Sequence, residues 1–259
     1  MNQQERRLYL IKKLLSEQPR YSELEIPSSE KEQKVLLRAL FNIRMPLPAS
    51  GEFLKVQDDY LKEETRRKKI TALSDLKPIR EELGLYLWKG DITTLSCDAI
   101  VNAANSQMLG CFCPNHGCID NAIHTFAGVE LRLACDKLMR KQGHEEETGK
   151  AKITPAFNLP CRYVIHTVGP IVRGSLTNRD CNLLASCYRS CLELADQNGL
   201  KSIAFCCIST GEFHFPNDKA AQIAVQTVKD YKFQTNSEIE VIFNVFKEVD
   251  YEIYRKLLG

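Results

Sequence analysis

From Leu83 to the end of the chain, short apolar runs alternate with segments of helical period, and this alternation constrains the fold more than any other feature. Runs such as Ala99-Ile100-Val101 and Ile203-Ala204-Phe205-Cys206-Cys207-Ile208 read as strands buried in a sheet that helices cover on both faces. Strands are expected near 84–89, 98–103, 151–156, 162–167, 202–208 and 238–245. Helices are expected near 118–127, 129–142, 180–197, 217–231 and 249–257, with breaks at Gly128, Gly143, Gly169-Pro170, Gly199 and Phe215-Pro216. The fold class is therefore α/β.

The first part of the chain has a different texture. Leu8, Leu10, Ile11, Leu14 and Leu15 give an amphipathic first helix, and Ser28 or Ser29 caps a second. Pro46, Pro48 and Ser50-Gly51 break the pattern before a third helix through Phe53, Leu54, Val56, Tyr60 and Leu61. Residues 1–74 are read as a helical extension and residues 75–259 as the α/β domain.

Composition narrows the function. The 259 residues carry a net charge of +2 from nearly balanced acids and bases, which gives no field suited to nucleic acid or a membrane surface. The one basic run, Arg66-Arg67-Lys68-Lys69, reads as a solvated helix face. No apolar segment nears the roughly 20 residues that span a bilayer, and the N-terminus lacks the apolar core of a signal peptide, so a cytoplasmic protein is expected. Its eleven cysteines are an odd number in a long chain without an export signal, and are expected to be reduced. Most suit packing: Cys206 and Cys207 lie in an apolar run, and Cys187 and Cys191 share one helix face.

Ligands of such sheets sit beyond the carboxyl ends of the strands. Three connections there carry chemistry. Asp91, after the first strand, can accept from an exocyclic amine such as adenine N6, although Gly-Asp is also ordinary turn chemistry. Ser209-Thr210-Gly211-Glu212-Phe213 offers hydroxyls and N–H groups able to cradle a pyrophosphate, with Phe213 or Phe215 placed to cover a sugar. Between them, Asn102-Ala103-Ala104-Asn105 leads to Gly110-Cys111-Phe112-Cys113-Pro114-Asn115-His116-Gly117-Cys118-Ile119-Asp120-Asn121. Thiolate and imidazole suit zinc; Cys111, His116 and Cys118 supply three ligands and Cys113 is available as a fourth, the spacing being too compressed for a zinc finger. One of the amides of Asn102 and Asn105 is expected to fix the loop while the other faces the cleft. Asp120, in the first turn of the next helix, is expected to stay ionised. His124 and His166 fall in apolar periods and read as satisfied core histidines; His214 has no assigned role.

Gly90-Asp91-Ile92, Asn102-Ala103-Ala104-Asn105, Asp120-Asn121-Ala122-Ile123-His124 with Ala127-Gly128, Tyr163-Val164-Ile165-His166-Thr167-Val168-Gly169-Pro170 and Ser209-Thr210-Gly211 together resemble the macrodomain family, which binds ADP-ribose. The resemblance covers about 75–259 and implies a three-layer α/β/α mixed sheet. Where hydrolytic macrodomains commonly carry a glycine-rich run, this chain has the segment from Gly110 to Cys118, which with the extension resembles a zinc-containing branch associated with sirtuin-type ADP-ribosyltransferases.

That resemblance implies a protein-ADP-ribose hydrolase with Zn2+ on Cys111, His116 and Cys118, and Cys113 as a bystander. Asp91 and Ile92 would hold the adenine, Ser209, Thr210, Gly211, Glu212 and Phe213 the pyrophosphate, and Asn105 the distal ribose. Asn105 and Asp120 are the expected catalytic residues, Asp120 as base or orienting group beside a metal-polarised hydroxyl or water. The implied substrate is a mono-ADP-ribosylated protein, carboxylate-linked, with a lipoyl-carrying, glycine-cleavage-H-like protein as a candidate target, acted on by a monomer. The competing expectations are a non-catalytic ADP-ribose-binding module and a scaffold whose zinc is closed by Cys113 as fourth ligand.

Overall fold

The computed structural model describes residues 1–21, 23–79 and 84–259; Leu83, where the change of texture begins, lies outside the described residues. Three helices open the chain: α1 (Gln3–Ser16), α2 (Glu30–Ile43) and α3 (Gly51–Arg67). Each starts at a side chain that accepts from a free N–H of the first turn: Asn2 from Glu5, Ser29 from Glu32, Ser50 from Phe53. Of the two serines open as caps for α2, it is Ser29 that does so. Leu10, Ile11 and Leu14 of α1, Leu37, Leu40 and Phe41 of α2 and Phe53, Tyr60 and Leu61 of α3 bury their apolar stripes in a core of their own.

The chain then forms β1 (Thr71–Ala72), β2 (Leu85–Lys89), β3 (Leu95–Ser96), β4 (Ala99–Ala104), α4 (Ile119–Ala127), α5 (Val129–Gln142), β5 (Ala151–Pro155), β6 (Tyr163–Val168), α6 (Asn178–Gln197), β7 (Ser202–Phe205), α7 (Asn217–Thr235), β8 (Glu240–Val245) and α8 (Glu248–Leu258). The main sheet has the order β2-β8-β7-β4-β6-β5 and is parallel except for β5, which runs antiparallel to β6. β1 pairs with β3 in a small second sheet that two-residue strands leave invisible to periodicity. Helices α4 and α5 pack on β4 and β5, while α6, α7 and α8 form a contiguous row along β5, β6, β8 and β2. The central strands β4, β6, β7 and β8 are buried along almost their whole length, as strands covered on both faces must be.

Most expected elements shift by one to four residues, but β7 differs in a way that matters. Expected over 202–208, it leaves the ladder after Phe205, and β4 pairs with it only at Ala99↔Ile203 and Ile100↔Ala204. Beyond those pairs the two strands stop bonding, so the carboxyl edge opens between β4 and β7. The extension closes over the helix layer on one side of that opening: α2 and α3 pack on α4, and Val129 of α5 joins the extension's core. Among the described residues no helix is long and apolar enough to cross a membrane.

Candidate functional site at the carboxyl edge

The turn after β2 is built around Asp91. Its Oδ1 accepts from the Thr93 backbone N–H (3.0 Å) and hydroxyl (2.6 Å), which caps the short helical turn through Ile92, itself buried. Oδ2 takes Lys68 Nζ at 3.0 Å. Burial alone would raise the carboxyl, but the Thr93 hydrogen bonds and the Lys68 ammonium together hold it below the ordinary carboxylate range. The basic run is thus not uniformly solvated: Lys68 leaves the end of α3 to reach this turn and also lies 3.3 Å from the centroid of Phe126. Asn244 of β8 donates to the Gly90 carbonyl at 3.0 Å, and Gly90 N–H donates to the Val245 carbonyl. Phe246, one residue past β8 and next to the Val245 carbonyl that Gly90 bonds, is a large aromatic left 76% exposed.

Residues 105–118 form a loop without regular structure. Asn105 fixes its start: Nδ2 donates to the Gly110 carbonyl at 3.1 Å and Oδ1 accepts from Gln107 N–H at 3.1 Å. Asn102 is fully buried and does not face the cleft, because the strand turns it toward Asp120 and His166. One ligand atom from each of Cys111, His116 and Cys118 lies within 4.8 Å of the other two, all three residues half-buried. Cys111 Sγ is 3.7 Å from His116 Nδ1, and Cys118 Sγ also caps α4 by accepting from Asn121 N–H. Cys113 stands outside the group: its thiol is exposed and its carbonyl is held by Asn121 Nδ2 at 3.0 Å. Two thiols and an imidazole in this arrangement fit a zinc ion with a position to spare. Burial pushes the Cys118 thiol up to about 12, so its thiolate needs a cation beside it.

Asp120 is tied into a buried network. It is only 5% exposed, accepts from Asn102 Nδ2 at 2.8 Å, and lies 3.5 Å from Asn105 Nδ2. Burial raises its pKa to about 6, against the opposing pull of the Asn102 hydrogen bond and Arg132, so it titrates closer to neutrality than an exposed first-turn carboxylate while staying mostly ionised at neutral pH. His166 is the satisfied core histidine expected: Nδ1 faces Asn102 Nδ2 at 3.1 Å and Nε2 faces Thr154 Oγ1 at 3.0 Å. With Asn102 donating, Nδ1 accepts and Nε2 carries the proton. His124 is buried but not satisfied. Among the described residues neither ring nitrogen has a hydrogen-bond partner, and Asp120 Oδ1 lies 3.5 Å from Nε2. Its ring instead fills the space under Gly110, where φ is +80° and a Cβ would lie 2.7 Å from His124 Cγ. His124, Cys135 and His166 form a second group of soft donors, but the His166 nitrogens are already bonded and the group is a packed core network.

The connection after β7 completes the rim. Ser209 has φ +65°, and its hydroxyl is buried, without a partner among the described residues, against Gly169, where a Cβ would lie 2.0 Å from it. A side chain at 169 would therefore require Ser209 and Ile208 to shift. Thr210 Oγ1 bonds the Cys207 carbonyl at 3.0 Å, and the Phe213 carbonyl accepts from Val172 N–H, tying this loop to the one after β6. Phe215 is a core residue at 1% exposure and cannot cover a ligand; Phe213 is half-buried at the surface. Gly211 and Glu212 are exposed, and the Glu212 carboxylate, which would repel an anion, faces His116 Nε2 at 3.5 Å. The two loops thus meet across the cleft. Asn121, Arg132, Lys68, Asn244 and Phe246 carry no signal of these positions in the sequence, because their placement depends on partners elsewhere along the chain.

A family model described as Macro domain matches residues 101–224. The chain is 61% identical over 261 residues to a protein-ADP-ribose hydrolase of Treponema medium, with all of both chains covered. It is 53% identical over 251 residues to a protein-ADP-ribose hydrolase of Staphylococcus aureus strain MRSA252, covering 96% of this chain and 93% of the relative. Among solved structures, a Trypanosoma brucei macrodomain in complex with ADP-ribose matches with a TM-score of 0.67 and 29% identity, over 90% of this chain and 97% of that one. With the mixed sheet, the rim loops and these relatives agreeing, the chain belongs to the macrodomain family.

Proposed function

We propose that this protein removes mono-ADP-ribose from modified protein side chains and does so as a zinc enzyme. The observation that carries the zinc reading is the grouping of Cys111, His116 and Cys118 within 4.8 Å at the mouth of the carboxyl-edge cleft. The hydrolase reading is supported by full-length relatives that bear that name. In it, the Asp91 turn and Phe246 hold the adenine, the backbone N–H groups of the 209–213 loop hold the pyrophosphate, and Asn105 lies next to the distal ribose. A bound zinc supplies Lewis-acid polarisation of an oxygen at the scissile ribose. Asp120 sits one layer below, where its carboxylate fixes Asn102 and approaches Asn105; its burial favours an orienting role over direct proton transfer.

A carboxylate-linked modification is the proposed substrate, and a lipoyl-carrying, glycine-cleavage-H-like protein the first target to try, a choice that rests on the family resemblance alone. All eleven cysteines are free, which suits a reducing compartment such as the cytoplasm. The same burial of Asp120 favours a second reading, a module that binds ADP-ribose without cleaving it.

The test is elemental analysis of purified protein together with release of ADP-ribose from a carboxylate-modified protein before and after chelation. One zinc per chain and loss of turnover on chelation or in Cys118→Ala are expected. Turnover indifferent to chelation removes the zinc from the reaction, and tight ADP-ribose binding without turnover establishes the binding module.

A further inference from the structure

Residues 111–118 belong to no helix or strand, and none of their side chains enters either large hydrophobic core. Polar tethers, with the Phe112 ring stacked on the Arg132 guanidinium at 4.3 Å, therefore set the loop's shape. Two of those tethers come from the extension. On α2, Arg38 donates from Nη2 to the His116 carbonyl at 3.0 Å, and from Nε and Nη2 to Asn121 Oδ1 at 3.1 and 2.8 Å. Asn121 passes the contact on, its Nδ2 donating to the Cys113 carbonyl at 3.0 Å. One turn further along α2, the buried Asn42 accepts from Asn115 N–H at 2.9 Å, at a residue with φ +56°, and donates to Thr125 Oγ1 at 3.0 Å. The guanidinium fork thus holds a soft-donor residue on one side and the helix carrying Cys118 and Asp120 on the other.

We propose that Arg38 is a positioning residue for this site: acting from the helical extension, it fixes the 113–121 backbone so that Cys111, His116 and Cys118 stand together before a metal or substrate arrives. The zinc consequence rests on the function proposed above; the ordering of the loop does not. A planar donor that serves two acceptors at once has no equivalent in lysine, whose ammonium would reach one of them. Preorganisation of this kind acts on metal affinity, where loss of an outer partner typically costs about 10- to 100-fold.

The experiment compares full-length wild type, Arg38→Ala, Arg38→Lys and Lys34→Ala. Lys34 lies one turn back on α2 and pairs with Glu30 and Glu64, away from the loop. Zinc affinity is measured by competition with a chromophoric chelator, the Co2+ absorption spectrum reports ligand geometry, and amide hydrogen exchange is followed across 111–121. Arg38→Ala is expected to weaken zinc by at least tenfold, alter the Co2+ bands and speed exchange in the loop while β4 and α6 stay protected. Arg38→Lys should recover only part of this, and Lys34→Ala should match wild type. Zinc affinity within twofold of wild type with unchanged loop exchange overturns the proposal. Wild type that takes up no zinc defeats the zinc reading alone; loop exchange in Arg38→Ala then still decides whether Arg38 orders the loop. Should Arg38→Ala not fold, Arg38→Gln, which keeps one donor, is read by the same measurements.

Discussion

With both ring nitrogens held and no exposed surface, His166 has no water to solvate a charge, and burial lowers its pKa to about 4. The unfolded imidazole titrates near 6.5, so between about pH 6.5 and 4 the unfolded chain binds a proton that the folded chain does not. Stability is therefore full above that window and falls as the pH drops through it. The loss is about 1.4 kcal/mol per unit. His124, pushed down by burial and by Arg132, acts in the same direction; Asp120, pushed up, acts in the opposite one. Urea titrations from pH 7 to 4 should show a shallower pH dependence for His166→Asn than for wild type, and equal slopes would mean that His166 is protonated in the folded state. At the opposite end of the cleft, Phe246→Ala should weaken ADP-ribose about tenfold by calorimetry, because base–aromatic stacking is worth about 1–3 kcal/mol. Unchanged affinity would place the adenine elsewhere. Asp91 and the three soft donors could be picked out as single residues because their side-chain chemistry is unusual for a loop. Phe246 could not, since an exposed phenylalanine becomes informative only once the turn beside it is known.

Among the elements, α1 to α3 behave as a unit with its own core, in which Leu10, Ile11 and Leu14 have no exposed surface. Truncating Leu14 to Ala should cost about 2–5 kcal/mol, as for other fully buried leucines. The loss should appear in urea unfolding and as faster amide exchange in α1 and α2. The join between α4 and α5 is tighter still. Gly128 has φ +95°, a Cβ there would lie 2.7 Å from the Gln57 side-chain amide, and Gln57 Oε1 accepts from Val129 N–H at 2.9 Å. Gly128→Ala therefore combines backbone strain with a collision against α3, and a loss of about 1–3 kcal/mol is expected by thermal unfolding. A loss below half a kcal/mol would show that the extension yields easily at this seam. Glycine at 128 was legible as a break between helices; its service to a residue on α3 was not.

At the scale of the whole molecule, the candidate zinc loop lies outside both hydrophobic cores, so the fold should not depend on the metal. Chelated protein is expected to keep its far-UV dichroism and one cooperative unfolding transition while losing turnover. Collapse on chelation would instead mark the zinc as structural, the role that a fourth ligand would have implied. Cys113, exposed and outside the Cys111, His116 and Cys118 group, does not stand where such a fourth ligand would.

The sequence by itself determined the α/β class, the helical character of the extension and the rim loops where reactive side chains gather. These follow from local periodicity and from side chains whose chemistry is evident one at a time. Only the tertiary structure decided that β7 ends at Phe205 and opens the sheet edge, that Asn102 looks inward to Asp120, that His124 finds no hydrogen-bond partner among the described residues, and that Arg38 and Lys68 of the extension reach the candidate site. Each of these depends on residues brought together from distant points on the chain, and on burial that changes what a carboxylate or imidazole does, neither of which a local pattern encodes.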